Sequence, residues 1–314
     1  MVVLCTIIML GVLLFSFNNE SRDNLFAADG LKNSAQALNC AEAGLNVAMA
    51  ALKQSDALRA SGNLKDLLTG QKDITLADGT CSVTVTDESS KLNLNLLKTS
   101  SGTLDRTKID QVLRLIDLLN RRSFEDSPIG YGLIPAIIDW TDSDEETTCL
   151  AFVAHENLGA ESSYYAGLDH PYRSKNAPLD TTEELLLIKG ITPQVFDRIR
   201  DYVTVKGDGK ININTASELV IESLSEKMDP ALARMIVNRR REKPFGNLAE
   251  LRDIPGMTTA VYQAIRRTAT VRPEDNYYQV TSCGSRGGRG RKIVAMIQRK
   301  ADADKLEIIQ YREM

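Results

Sequence analysis

No charged residue occurs in the first 17 positions of the chain, Met1–Phe17. An α-helix needs about 17 or more apolar residues to cross a bilayer, so this segment is near the lower limit for a span. A secretory signal would have a basic region before the apolar core and a small-residue cleavage site after it, and the sequence offers neither cleanly. We therefore expect residues 1–17 to be a retained transmembrane anchor, with an uncleaved signal peptide or a buried core helix as alternatives. The absence of a preceding Lys or Arg suggests that a leader has been removed, but Met1 is equally compatible with being only an assigned start.

The chain is poor in the residues that catalytic and zinc sites need. It has only two histidines, and no Ser-His-acid grouping or nucleophile elbow is present. Its five cysteines are widely spaced without a CxxC pair, so neither a zinc site nor a redox motif is indicated. We therefore expect no enzyme. Cys5 lies in the anchor, and disulfide pairing is left open among Cys40, Cys81, Cys149 and Cys283.

Excess positive charge is also missing. The net charge is -4 and the isoelectric point is near 5.5, which argues against general nucleic-acid binding. A length of 314 residues allows two or three domains with a packed core.

Proline is absent until Pro128, so the apolar helix can continue out of the membrane as a long stalk. Small and apolar residues recur at steps of three and four along this stalk, which places them on one helix face that must pack on something. They are Leu31, Ala35, Leu38, Ala41, Leu45, Ala48 and Leu52. We expect the helix to end near Ser55–Gly62, where Ser, Asp and Gly gather.

Strand-like alternation occurs in two places that are far apart in the sequence. Thr80–Thr86 and Lys91–Asn95 predict an early hairpin, and Asn276–Cys283, Arg291–Lys300 and Lys305–Arg312 predict three late strands. Because isolated hairpins are marginal in water, we expect both groups to belong to one sheet packed on the stalk.

The sequence thus predicts an α+β fold in which a long N-terminal helix packs on a small antiparallel sheet, with a large α-helical domain inserted into it. The expected domains are the anchor at 1–17, the stalk helix and first strands at 18–95, the inserted helical domain at 96–275, and the completing strands at 276–314.

Two segments of the helical block join helices through a Gly-centred turn, Leu185–Ile199 and Leu251–Ile265. They resemble helix-hairpin-helix modules, in which backbone N–H groups bind a phosphate. However, Thr192 and Thr258 stand where a second glycine would help a phosphate approach, and the hairpin at 225–230 has no glycine and two acids. We therefore favour a protein-protein scaffold over DNA binding.

An acidic loop follows a short apolar run, with carboxylates two or three residues apart from Asp139 to Glu146. Such spacing can bring oxygens together on one hard cation such as Ca²⁺. The loop is not an EF-hand, because Thr147 and Val153 stand where that motif has Gly and Glu. Our candidate oxygen donors are Asp142, Asp144, Glu161, Asn176 and Asp180, with Asp139 as a helix cap or outer acceptor. A solvated helix-capping loop is the alternative.

In this order the segments resemble one family, the K-type minor pseudopilins (GspK) of the bacterial type II secretion system. The resemblance covers nearly the whole chain and is most specific where GAE and YRSKN follow DWxDxD. The matching segments are AEAGLNVAMAALK at 41–53, KLNLNLL at 91–97, DWTDSDEE at 139–146, GAESSYY at 159–165, HPYRSKNAPLD at 170–180, TTEELLLIKGIT at 181–192 and ININTAS at 211–217.

The resemblance implies a pilin-like domain that carries the inserted helical domain, and a subunit that caps the pseudopilus tip with the I and J subunits. It also implies structural calcium beside the acidic loop, an inner-membrane anchor and a periplasmic body. Most pilin-type subunits have Glu at position 5, where it pairs with the amine of the next subunit. This chain has Cys5, which fits a tip position. The implied partners are the other minor pseudopilins, the major pseudopilin and secreted cargo, with no nucleic acid.

Two other functions are compatible with parts of the sequence. One is a membrane-tethered DNA receptor that uses the helix-hairpin-helix units, and the acidic middle of the chain argues against it. The other is a minor pilin of a type IV pilus, which would share the stalk and sheet but would not be expected to carry the whole inserted domain.

Overall fold

The computed structural model describes residues 1–53, 72–77, 79–99, 101–122, 127–153, 155, 157–273, 276–300 and 305–314. The predicted end of the stalk helix at 55–62 lies outside these residues. The chain divides into two compact units. The first contains Met1–Thr86, Tyr278–Gln298 and the C-terminal strand, and the second is formed mainly by Asp87–Tyr277.

The described helices and strands are as follows. The α-helices are α1 (Val2–Leu52), α2 (Arg106–Arg122), α3 (Leu133–Thr141), α4 (Ser162–Ala166), α5 (Pro193–Ile199), α6 (Glu218–Ser223), α7 (Pro230–Glu242) and α8 (Thr259–Ile265). The strands are β1 (Lys72–Leu76), β2 (Gly79–Asp87), β3 (Leu92–Asn93), β4 (Val203–Thr204), β5 (Ile211–Asn212), β6 (Ala269–Thr270), β7 (Asn276–Arg286), β8 (Arg289–Arg299) and β9 (Leu306–Glu313). Short 3-10 helices cover Glu88–Ser90, Leu94–Leu96, Thr182–Leu187 and Leu248–Asp253.

The first unit is the long helix α1 with a five-stranded sheet in the order β1-β2-β7-β8-β9. Early and late strands therefore share one sheet, which confirms that prediction and the α+β fold class. Burial on α1 begins at Ala37 and recurs every three or four residues to Leu52, whereas Leu31 of the predicted face is 74% exposed. The packing is close, because a Cβ at Gly284 of β7 would overlap the carbonyl oxygen of Ala37.

The predicted early hairpin is wrong. β2 pairs in antiparallel fashion with β1 at Lys72–Leu76, whereas Leu92–Asn93 pairs in parallel with Val203–Thr204 of the second unit. Leu92 and Leu94 are buried in the core of that unit. The division between the units therefore falls after Thr86, earlier than the expected boundary at 95.

Buried polar groups explain why the segment after β2 belongs to the second unit. Asn212 donates to the Asp87 carboxylate at 2.8 Å, and Thr204 donates to Glu88 at 2.5 Å. Lys91 pairs with Glu88 at 2.8 Å. Because buried polar groups are costly without partners, these contacts attach residues 87–91 to β4 and β5.

Two short hairpins of the second unit share one geometry: a 3-10 helix, a glycine with positive φ and an α-helix capped by threonine. Gly190 has a φ of 82° before Thr192, which caps α5, and Gly256 has a φ of 88° before Thr258, which caps α8. In each case the threonine hydroxyl accepts from a backbone N–H in the first turn. The threonines that make the pattern glycine-poor therefore stabilise helix starts.

Candidate metal centre

The acidic loop begins where helix α3 ends. Asp142 is the C-cap of α3 and has an extended backbone, so the chain turns away from the helix at this residue. Glu161 is the N-cap of α4, and Asn176 lies in a loop with a φ of 49°, the left-handed region that asparagine tolerates better than most residues. The candidate donors therefore come from two helix ends and one loop.

Three of the predicted donors converge. Asp142, Asp144 and Glu161 each offer a carboxylate oxygen, and these oxygens all lie within 4.8 Å of one another. Glu161 is only 2% exposed, and neither of its oxygens has a hydrogen-bond partner among the described residues. Oδ1 of Asp142 is also buried without a partner in this part of the chain. Buried carboxylate oxygens are normally satisfied, so these atoms fit the coordination of a cation.

The electrostatics of Glu161 agree with this geometry. Burial, followed by the charges of Asp139, Asp142, Glu145 and Asp144, raises the pKa of Glu161 from 4.5 to about 7. Burial also raises the pKa of Asp142, and the contact with Lys98 only partly offsets this. A nearby cation would reverse the electrostatic cost of keeping these groups ionised.

Asn176 contacts the acidic loop. Its side-chain amide donates to the backbone oxygen of Asp144 at 3.2 Å and to Oε1 of Glu145 at 3.0 Å. Its Oδ1 is buried and has no hydrogen-bond partner among the described residues. Since amide oxygens are calcium ligands, Asn176 is oriented by the acidic loop and keeps one oxygen for a cation.

Asp139 lies behind the group and is fully buried. Its Oδ1 accepts from the backbone N–H of Thr148 at 2.9 Å, and burial raises its pKa in spite of that hydrogen bond. A Cβ at Gly159 would overlap Oδ2 of Asp139 and would lie 2.7 Å from the carbonyl oxygen of Pro135. The glycine of the GAE segment therefore allows the chain leading to Glu161 to pass against α3.

Asp180 is not brought to this group. Its side chain is 73% exposed and pairs with Lys175 at 2.6 Å, and this hydrogen bond lowers the pKa of Asp180. Lys175 also contacts Glu184 at 2.8 Å, and Glu184 completes the capping box of the 3-10 helix with Thr181. The structure thus places Asp180 in a helix-start network, and Asp180 is not among the carboxylates that converge within 4.8 Å.

Two residues at the centre were not predicted from the sequence. Oε1 of Glu145 accepts from Ser162 at 3.0 Å and from Asn176, so it holds the loop against α4. Lys98 donates to Oδ2 of Asp142 and lies 3.6 Å from Oδ2 of Asp144. Burial lowers the pKa of Lys98, but the hydrogen bond and charges of these aspartates outweigh it and raise that pKa. Glu145 is within the acidic run, whereas the distant Lys98 gave no sequence signal.

An aromatic cluster connects α3 with α4. Trp140, the single tryptophan of the chain, contacts Tyr165 edge-on with ring centroids 5.1 Å apart. Tyr165 stacks on Tyr172 at 5.2 Å. Burial raises the pKa of Tyr165 to about 12, so its hydroxyl stays neutral. The rings thus form an apolar contact between the two helices whose ends carry Asp142 and Glu161.

Sequence models of one known protein family match much of the second unit. Two sequence models of the family described as "Type II secretion system (T2SS), protein K" match residues 90–208 and 211–272, which together are more than half of the chain. Both matches lie within the second unit.

Three relatives carry the name type II secretion system protein K. The protein of Aeromonas hydrophila is 32% identical over 117 residues, which are 35% of this chain and 33% of that protein. The protein of Pseudomonas aeruginosa is 28% identical over 227 residues, or 71% of this chain and 62% of that protein. The protein of Klebsiella pneumoniae is 22% identical, with coverages of 74% and 71%. The chain thus matches 33% of the length of the Aeromonas hydrophila protein and 62% of the length of the Pseudomonas aeruginosa protein.

One solved structure extends the likeness to the whole fold. It is a chain in the crystal structure of the GspK-GspI-GspJ complex of the enterotoxigenic Escherichia coli type 2 secretion system, with a TM-score of 0.65 and 18% identity. The match covers 94% of this chain and 99% of that one, so most of both units takes part. With two family models across the second unit and the same fold over 94% of its length, the chain belongs to the family of type II secretion system protein K.

Proposed function

We propose that this protein is a structural minor pseudopilin, which caps the tip of the type II secretion pseudopilus and organises other minor pseudopilins there. The observation that carries this proposal is the combination of a pilin-like first unit with a family-specific second unit in one chain. The expected partners are the I- and J-type subunits, the major pseudopilin and secreted cargo. A scaffold of this kind needs no catalytic residues.

The N-terminal helix supports a membrane location. It contains an apolar window long enough to span a bilayer, and none of that window is buried within the protein. Residues 2–17 have exposed apolar side chains throughout, which is costly in water and favourable in lipid. We propose a single-pass anchor in the inner membrane, with the remainder of the chain in the periplasm.

The composition of this anchor supports the tip position. A subunit inside the filament uses an acidic residue in its apolar segment to pair with the amine of a neighbour. Here the apolar segment from Met1 to Phe17 contains no acid. A subunit with no neighbour above it would not need that pairing, so an acid-free segment suits the end of the filament.

We also propose that calcium binds at Asp142, Asp144, Glu161 and Asn176. Bound calcium would supply the positive charge that the buried, unpartnered oxygens of Glu161 lack among the described residues. Oxygen donors on separate segments suit Ca²⁺ better than Mg²⁺, which demands a near-ideal octahedron and keeps its waters. These residues lie at the end of α3, at the start of α4 and in the Asn176 loop. The role of calcium would be structural, because the ion would fix a long segment with little secondary structure of its own.

The two glycine-turn hairpins are proposed as helix-hairpin-helix-like scaffold elements without a nucleic-acid role. Their threonines cap helices, so the turns do not offer the run of free N–H groups that phosphate binding uses. Their partners would be proteins of the secretion system.

Calcium binding can be tested with terbium, which replaces calcium and is excited by nearby aromatic side chains. Trp140 precedes Asp142 by two positions and is the only tryptophan, so emission excited selectively through tryptophan would report this centre. We expect emission from the detergent-solubilised protein that calcium displaces and magnesium does not. The Asp142→Asn, Glu161→Gln double variant should give none, and unchanged emission from it would contradict the site.

The secretion role can be tested in the source bacterium by deletion and complementation. Deletion should leave secreted cargo in the periplasm, and the intact chain should restore export. The chain should also be recovered from membranes with its I- and J-type neighbours after cross-linking. Normal export in the deletion strain, or cross-linking to neither neighbour, would refute the proposed function.

A further inference from the structure

Lys98 lies at the candidate metal centre, and the proposed set of metal ligands does not account for a cationic side chain there. Its ammonium donates to Oδ2 of Asp142 and lies 3.6 Å from Oδ2 of Asp144. Only 21% of its side chain is exposed. The same two carboxylates belong to the group of oxygens that converges within 4.8 Å. A positive charge is thus already present where a metal ion would bind.

The backbone fixes this placement. Leu97 is 1% exposed in the core of the second unit, and its carbonyl oxygen accepts from the N–H of Asp105 at 2.8 Å. Lys98 itself forms an isolated bridge with Leu104. The Cα is therefore held, whereas the four-carbon stem of a lysine can withdraw its charge without any backbone movement.

The ammonium satisfies only part of the acidic group. It reaches Asp142 and Asp144, but both oxygens of the buried Glu161 and Oδ1 of Asn176 have no hydrogen-bond partner within the described ranges. One unit of charge cannot offset the three converging carboxylates, whereas Ca²⁺ brings two charges and accepts six to eight oxygens. The lysine and a metal ion are thus alternative or mutually repelling cations at one set of carboxylates.

We propose that Lys98 is an internal competing cation, which holds Asp142 and Asp144 together in the absence of metal and weakens calcium binding at this centre. This inference rests on the calcium site proposed above. Two like charges a few ångströms apart in a partly buried site repel strongly, so removal of the ammonium should tighten calcium binding by about tenfold or more. The same removal should leave the metal-free carboxylates without a counter-charge, so the metal-free protein should become less stable.

The experiment compares wild type with Lys98→Met in the detergent-solubilised full chain. Calorimetric titration with calcium gives the affinity, and thermal unfolding in excess chelator, followed by Trp140 fluorescence, gives the metal-free stability. Lys98→Arg keeps the charge and should behave as wild type. Lys210→Met is the matched control for net charge, because Lys210 lies 4.0 Å from Asp208 outside the centre. Lys98→Gln serves as a second charge-removing variant if Lys98→Met does not fold without calcium.

The supporting result is tighter calcium binding in Lys98→Met or Lys98→Gln together with a lower metal-free midpoint, and neither change in the two controls. Equal or weaker calcium binding in the charge-removing variants would overturn the proposal, since it would make Lys98 an ordinary support of the loop. If calcium does not bind at this centre at all, neither wild type nor any variant would show a heat of calcium binding. Binding that becomes measurable only when the charge is removed would support the competing cation.

Discussion

Glu161→Gln should have opposite effects on the metal-free and the calcium-bound protein. Glu161 is 2% exposed and lies beside Asp142 and Asp144. In the part of the chain that the structure describes, neither of its oxygens has a hydrogen-bond partner. Without metal, its charge is therefore desolvated and repelled. With metal, the same charge would be a ligand. Glutamine keeps the shape and removes the charge, so it separates these two contributions.

The magnitude follows from the pKa of Glu161, which is raised from 4.5 to about 7. This corresponds to roughly 3 kcal/mol against the ionised form in the folded state, at about 1.4 kcal/mol per tenfold change in proton affinity. Because the folded-state pKa is the higher one, the penalty is fully present above about pH 7 and disappears as the pH falls towards 4.5. The metal-free wild type should therefore gain stability on acidification, from this group, by up to ~3 kcal/mol.

The assay is urea unfolding in chelator, followed by the fluorescence of Trp140, which reports the second unit because it is the single tryptophan. At about pH 8, Glu161→Gln should be more stable than wild type by about 2–3 kcal/mol, and the difference should vanish near pH 4.5. Saturating calcium should stabilise wild type by about 2.7 kcal/mol at a hundredfold excess over Kd and leave the variant unchanged.

Glu222→Gln is the matched control. Glu222 is also buried, and burial raises its pKa, but it pairs with Arg122 at 3.1 Å. Because Arg122 offsets part of the effect of burial, the replacement of Glu222 should change the metal-free stability by less than Glu161→Gln does, and it should preserve the calcium response. If metal-free Glu161→Gln is no more stable than wild type at about pH 8, or if calcium still stabilises it, the account of Glu161 as an unpaired ligand is wrong.

Three further substitutions test separate parts of the structure. Gly284→Ala would place a Cβ over the carbonyl oxygen of Ala37, so we expect a loss of about 1–3 kcal/mol in thermal unfolding of the first unit. Gly159→Ala would place a Cβ over Oδ2 of Asp139, and should both lower the melting temperature and weaken calcium binding in calorimetry. Asp180→Ala removes an exposed ion pair, so we expect less than about 1 kcal/mol of destabilisation and an unchanged calcium affinity. A tenfold weaker affinity would restore Asp180 as a ligand.

The sequence was sufficient to predict the long helix and the late strands of the first unit. The uncharged run, the spacing of small residues on α1 and the alternation in the late strands are local patterns, and each matches an element of the structure. The partner of β2 could not be read in the same way. Lys91–Asn95 alternates as a strand should, yet Leu92 and Asn93 pair with Val203 and Thr204, more than a hundred residues further on. Strand pairing at that separation leaves no local signal.

The candidate metal centre shows the same limit. Acids clustered in sequence or next to a glycine-containing turn were found: three of the five predicted donors converge in the structure, and Asn176 contacts the loop that carries Asp144. Asp180 lies in sequence of similar composition. In the structure, however, its carboxylate pairs with Lys175 beside the capping box of the following 3-10 helix. Lys98 could not be found from the loop, because its placement depends on how the segment after β3 crosses the second unit.

Connectivity gives the second unit an additional role in the stability of the first. β2 and β7 are neighbours in the sheet, but the chain between Thr86 and Tyr278 is roughly 190 residues long, and closing so long an unfolded loop costs about 5 kcal/mol. Gly79 lies against Ser285, so the other ends of these two strands, Thr86 and Tyr278, come to one end of the sheet. The second unit is nearly contiguous in sequence and has its own core, so it can fold first. Once it is folded, the loop that the sheet must close is already ordered, and part of the closure cost has been met. Stabilisation of the second unit by a cation would therefore also favour formation of the sheet on α1.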